Sequence, residues 1–119
     1  MINDMETITV TTRIDIKRER VADILYSTAQ GSGYWCKFVG DLGYEKTVSE
    51  LLNGGVVELE DFEDEKARYT LTLAKVKKGF EVMAEKFPKC FADFLAEDDD
   101  AGTADVLLQC ALFGEVKYQ

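Results

Sequence analysis

The sequence predicts a single α+β domain over residues 1–119, with an antiparallel or mixed sheet of about four strands and helices packed on one of its faces. Three observations carry that expectation. Residues 7–16 alternate, with Ile8, Val10, Ile14 and Ile16 on one parity and Thr12 as the only break, which is the period of a half-buried strand. Residues 56–62 and 67–71 are β-prone runs that flank the polar loop Glu63-Asp64-Glu65-Lys66, the pattern of a hairpin. Leu73, Val76, Phe80, Met83 and Phe87 then recur at alternating steps of 3 and 4, one face of a long helix. Strands and helices mixed in this order, without a regular βαβ repeat, define the α+β class.

The remaining elements follow in chain order. After the strand at 7–16, Val21, Ile24, Leu25 and Thr28 share a helical face within residues 17–29, and Gly31 and Gly33 stop that helix. Residues 34–39, Tyr-Trp-Cys-Lys-Phe-Val, are aromatic and β-branched, so they predict a second strand with Tyr34, Cys36 and Phe38 on one face, ended by Gly40-Asp41-Leu42-Gly43. Thr47-Val48-Ser49-Glu50 has the spacing of a capping box, in which hydroxyl and carboxylate satisfy each other's orphan backbone donors. It predicts a single helical turn through Leu51 and Leu52, closed by Asn53-Gly54-Gly55.

In the hairpin, Val57 and Leu59 share one face, as do Tyr69 and Leu71 on the other strand. Thr72 is the N-cap of the long helix, which Phe80 and Met83 would anchor in the core. Pro88 cannot continue that helix but suits the first turn of the next, whose apolar face is Cys90, Phe91, Phe94 and Leu95. Glu97 to Asp100 form a solvated acidic loop. Thr103 then caps a last helix with Val106, Leu107, Cys110 and Ala111 inward and Asp105 near the positive end of its dipole. Gly114 closes it, and residues 115–118 add an edge strand.

Composition narrows the function. With 46% hydrophobic residues the chain can build a core without staples, and at this length it should bury roughly 65% of its unfolded surface. Three cysteines, Cys36, Cys90 and Cys110, are an odd set with no CxxC spacing and each lies on an apolar face, where thiols act as small hydrophobes. Together with an opening MINDMET that has no apolar run, and no stretch long enough to span a membrane, they point to a reducing cytoplasm. The net charge of −9 repels nucleic acid and anionic membrane and attracts basic surfaces, beyond its ordinary effect on solubility.

No His occurs, so His-based triads and His-containing zinc sites are excluded, and no residue is assigned a catalytic, cofactor-binding or metal-binding role. The glycines fit no phosphate-loop pattern, and Asp98-Asp99-Asp100 lacks the ligand offsets of a calcium loop. The densest charge feature is the hairpin, where Glu58, Glu60, Asp61, Glu63, Asp64 and Glu65 place six acids in eight residues. Full solvation would keep them ionised and poor as catalysts. Alternate carboxylates on a strand stand about 7 Å apart, too sparse alone to imitate the ~1.7 Å charge spacing of duplex DNA. The candidate partner-binding residues are therefore Glu58, Glu60, Asp61, Glu63 and Asp64, with Trp35 as an aromatic anchor if it is exposed and a core residue if it is not.

Several segments in order also carry a resemblance: Gly33-Tyr34-Trp35-Cys36, then Leu51-Leu52-Asn53-Gly54-Gly55, Leu71-Thr72-Leu73 with Lys78-Gly79, and the ending Asp100-Ala101, Ala104-Asp105, Gln109 and Ala111-Leu112-Phe113-Gly114-Glu115. Together they resemble a family of small uncharacterised proteins encoded by bacteriophages, prophages and other mobile elements, in which an aromatic residue often replaces Cys110. That resemblance implies no activity, cofactor or site residue. It implies a bacterial cytoplasm and an accessory protein acting on host or phage machinery. The functional expectation is thus a non-enzymatic binding protein that occupies a basic host or phage protein through its acidic surface, with inhibition of a defence system as one such role. The alternatives are a small ligand-binding domain or carboxylate-based enzyme built around residues 34–36, and a structural, homo-oligomeric accessory protein. The sequence leaves the target and the oligomeric state open.

Overall fold

The computed structural model describes residues 6–40 and 43–119. Its elements run α1 (Arg18–Gly31), β1 (Cys36–Phe38), α2 (Gly43–Leu52), β2 (Val57–Asp61), β3 (Arg68–Leu71), α3 (Leu73–Lys86), α4 (Pro88–Leu95) and α5 (Ala101–Phe113). The sheet is three-stranded and antiparallel in the order β1-β2-β3, with Lys37 opposite Glu60 and Glu58 opposite Thr70. The α+β class stands, with one strand fewer than the sequence predicts.

The missing strand is residues 7–16. That segment forms no strand and lies outside the sheet, with Ile8 91% and Val10 78% exposed, and only Ile16 packs partly against the core. Alternation is a local pattern, but a strand needs a pairing neighbour, and none of the three strands of the sheet pairs with residues 7–16. Residues 115–118 likewise form no strand. The opening residues 1–5 and residues 41–42, part of the run expected to end the second strand, lie outside the described residues.

Period-2 burial orients the sheet. Val57, Leu59 and Asp61 of β2, with Cys36 and Leu71, face inward, while Lys37, Glu58, Arg68 and Thr70 face out. Helices cover the inner face. Ile24 and Leu25 of α1, Val48 and Leu51 of α2, Val76, Phe80 and Met83 of α3, Phe94 of α4 and Leu107, Leu108 and Cys110 of α5 join Trp35 and the strand residues in one core cluster. Such burial of apolar surface is the main stabilising term. Where α3 meets α5, a Cβ on Gly79 would lie 2.8 Å from the Cβ of Ala111, so only glycine permits this approach.

The local signals divide by mechanism. Thr72 caps α3 as expected, its hydroxyl accepting from the N–H of Lys75 at 3.2 Å, and Pro88 opens α4. Thr72→Ala should therefore cost about 1 kcal/mol; urea denaturation measures it, and an unchanged midpoint would mean the cap contributes nothing.

Two expected caps are corrected. Thr47 lies inside a ten-residue α2, its hydroxyl donating back to the Gly43 carbonyl at 2.8 Å rather than capping. The cap of α5 is Asp100, which accepts from the N–H of Thr103 at 2.9 Å, while the Thr103 hydroxyl faces the Asp100 N–H. Thr103 is thus the third residue of the box. The acidic run before α5 is no free loop either: Asp99 pairs with Arg20 at 2.8 Å, and that guanidinium also donates to the Phe94 carbonyl at 2.9 Å.

Candidate functional site

The acidic hairpin tip, residues 62–66, is built on a buried carboxylate. Asp61 is 1% exposed because it follows Val57 and Leu59 on the inward parity of β2. Its Oδ1 accepts from the N–H groups of Glu63 at 2.8 Å and Asp64 at 3.1 Å, and its Oδ2 from the hydroxyls of Tyr69 at 2.7 Å and Tyr118 at 2.6 Å. Four donors exceed what a buried carboxylate needs to stay charged. Burial alone would raise its pKa, but the hydrogen bonds from Tyr118, Tyr69 and the Asp64 and Glu63 backbone prevail and hold it below the ordinary carboxylate value. Burial and the same carboxylate push the Tyr69 hydroxyl well above its ordinary value.

The tip backbone is held from both sides. Phe62 donates its N–H to the Trp35 carbonyl at 2.7 Å, Asp61 to the Ala67 carbonyl at 3.1 Å, and Ala67 to the Asp64 carbonyl at 2.8 Å. Phe62 itself, on the outward parity, is 46% exposed, and Glu63, Asp64 and Glu65 beside it are exposed as well. The result is an exposed aromatic side chain followed directly by three exposed acidic residues, on a loop whose backbone is tied at several points.

Behind the tip runs a second carboxylate hub. Asp105 accepts on Oδ1 from the Ser32 hydroxyl and the Trp35 Nε1, both at 2.8 Å, and on Oδ2 from the Tyr34 hydroxyl at 2.7 Å and Gln109 Nε2 at 3.1 Å. Burial and Asp105 together push the Tyr34 phenol up to about 12. Gln109 in turn substitutes for a strand partner: its Oε1 accepts from the N–H groups of Lys117 and Tyr118, and its Nε2 donates to the Tyr118 carbonyl. Those bonds hold the segment expected to be an edge strand, and they place the Tyr118 ring 4.9 Å from Trp35 and its hydroxyl on Asp61.

The residues singled out from the sequence therefore separate. Trp35 is fully buried, so it is a core residue and no surface anchor; the Asp105 carboxylate satisfies its indole N–H and Phe113 and Tyr118 cover its faces. Asp61 is also withdrawn from the surface and supports the tip from below. Glu58 and Glu60 lie on the outer sheet face, where Arg68 at 3.5 Å and Lys37 at 3.7 Å offset them. Only Glu63 and Asp64, with Glu65, stand at the tip. Sequence reasoning missed Phe62, although its parity with Glu58 and Glu60 marks it as outward.

Among the described residues, no group of three or more His, Cys, Asp or Glu is arranged to hold a metal ion, and no helix is long and apolar enough to cross a membrane. Burial pushes the thiols of Cys36 up to about 12 and Cys110 up to about 11, so both stay protonated and unreactive at neutral pH. Comparison of the chain with protein-family models, curated proteins and solved structures finds no match.

Proposed function

We propose that the protein is a non-enzymatic binding module, an accessory protein of phage or mobile-element origin that docks on a basic surface of a host or phage protein in the bacterial cytoplasm. The observation that supports this reading is the hairpin tip, where Asp61 and its four donors pre-organise Phe62 among Glu63, Asp64 and Glu65. An aromatic anchor already held in place loses little freedom on binding, and acids around it steer a cationic partner. Blocking a defence protein is one use of such a surface. A carboxylate-based enzyme is the weaker reading, because a general acid needs a raised pKa and Asp61 is held low.

The test begins with capture of a partner from bacterial lysate by the wild-type chain and by a Phe62→Ala chain in parallel. Binding kinetics on the captured partner should then split by residue. Phe62→Ala should speed dissociation by about 30-fold or more, the effect of removing a hot-spot aromatic. The combined change Glu63→Gln, Asp64→Asn and Glu65→Gln should slow association and flatten its salt dependence, since exposed charges are screened over about 8 Å at physiological ionic strength. Neutralising Glu58 and Glu60, which Arg68 and Lys37 already offset, should do less. Unaltered kinetics in both tip variants would refute the tip as the docking surface.

A further inference from the structure

We infer that the exposed arm of residues 7–17 is a dimerisation element that pairs antiparallel with the same arm of a second copy, about a twofold axis at Thr12. Three observations converge on that occupant. Ile8 and Val10 are 91% and 78% exposed, and no backbone group of residues 7–16 makes a hydrogen bond to the rest of the described chain. A β-prone segment with unpaired backbone is a template for another strand.

The second observation is register. The even positions read Ile8, Val10, Thr12, Ile14, Ile16, which is a palindrome in side-chain type. Antiparallel pairing centred on Thr12 sets Ile8 against Ile16 and Val10 against Ile14, and opposes the one break in the pattern to itself. A shift of the centre to residue 11 keeps Ile8 against Ile14 but sets Val10 against Thr12 and Ile16 against Glu6, and a shift to residue 13 sets Ile14 against Thr12 and Ile8 against Arg18. On the odd face the same register places Thr11 opposite Arg13 and Thr9 opposite Asp15, with no like charges facing each other.

The third observation is a cleft. Ile14 and Ile16 line one side of an open, largely apolar hollow of about 630 Å³, and Val21, Val76, Phe80 and Phe91 line the other. The proposed register brings the second copy's Ile8 and Val10 beside Ile16 and Ile14, on the face that looks into this hollow. Each copy thus fills the other's cleft with its most exposed aliphatic side chains, the isologous exchange that twofold symmetry requires. This association is independent of the hairpin tip.

Sedimentation velocity on the wild-type chain across micromolar to millimolar concentrations tests the proposal. The expected mass is twice the 13.4 kDa of one chain, falling to one chain on dilution. The variant Ile8→Asp with Val10→Asp alters only exposed positions, so its melting temperature at low concentration should match that of the wild type, while its dimer dissociation constant should rise by at least about a hundredfold. Register is tested by cross-linking in a Cys90→Ser background. Thr12→Cys should form an interchain disulfide on oxidation, because residues facing each other across antiparallel strands lie within disulfide reach. Thr7→Cys, equally exposed, should not, because the register holds the two copies of residue 7 roughly 30 Å apart. A wild-type chain that stays monomeric overturns the proposal and leaves the arm to a different protein. A dimer untouched by the two aspartates, or equal cross-linking at residues 7 and 12, overturns it too.

Discussion

Replacing Trp35 by Ala is expected to destabilise the fold by about 3–5 kcal/mol, which for 119 residues is a fall in melting temperature of roughly 12–20 °C. The side chain is completely buried, with Phe113 at 5.6 Å and Tyr118 at 4.9 Å between ring centroids, and it donates to Asp105. Its loss leaves a cavity at the junction of β1, α5 and the C-terminal segment, and it strips one donor from a carboxylate that has four. Trp35→Phe separates these effects. The ring volume is mostly kept, so the cost should shrink to about 1.5–3 kcal/mol, the worth of a hydrogen bond to a charged group. Thermal denaturation followed by circular dichroism measures both. A Trp35→Ala midpoint within a few degrees of wild type would place the indole outside the core. Trp35 is the sole tryptophan, so its fluorescence in the native chain should be blue-shifted and shift red only with unfolding.

What the sequence disclosed and what it hid follow from the range of the interactions involved. The hairpin, the stripe of α3, the Thr72 cap and the Pro88 start are set by neighbours within a few residues, and local pattern was enough to find them. The Thr47 and Thr103 caps were misplaced because a hydroxyl can bond backward to a carbonyl as readily as forward to an N–H, and tertiary packing decides which. Ile8 to Ile16 have the period of a strand but find no partner within the described chain. The two carboxylate hubs were hidden for a different reason. Asp61 meets Tyr118 across 57 positions and Asp105 meets Trp35 across 70, and no local rule pairs an acid with a phenol or indole so far away. One clue was present: Asp61 shares parity with Val57 and Leu59, and an acid on a core-facing parity must have donors waiting for it.

Asp61→Ala is the sharper experiment because it joins stability to the hairpin tip. It leaves the Tyr69 and Tyr118 hydroxyls and the Glu63 and Asp64 N–H groups without their common acceptor, and should cost on the order of 3–5 kcal/mol. Asp61→Asn keeps the shape and the carbonyl acceptor, and its amide can donate to a tyrosine oxygen, so it should cost about half as much. The pH profile tells charge from shape. The Asp61 carboxyl is held below its ordinary value, so the folded chain releases this proton more readily than the unfolded one. Its contribution is therefore complete above the unfolded value of about 3.9 and disappears as pH falls through the lower, folded value. Wild-type stability should fall through that acid window, and the Asp61→Asn chain should lose part of that slope, the remainder belonging to Asp100, whose carboxylate the Thr103 N–H and hydroxyl also hold low. Urea denaturation at stepwise lower pH measures both chains. Parallel acid limbs would mean that the Asp61 carboxyl titrates alike in the folded and unfolded chain, so that its four hydrogen bonds do not favour the ionised form. Hydrogen exchange at the Glu63 and Asp64 amides gives a second readout, and both should lose protection in Asp61→Ala before the global midpoint is reached, because these two bonds end on the deleted side chain.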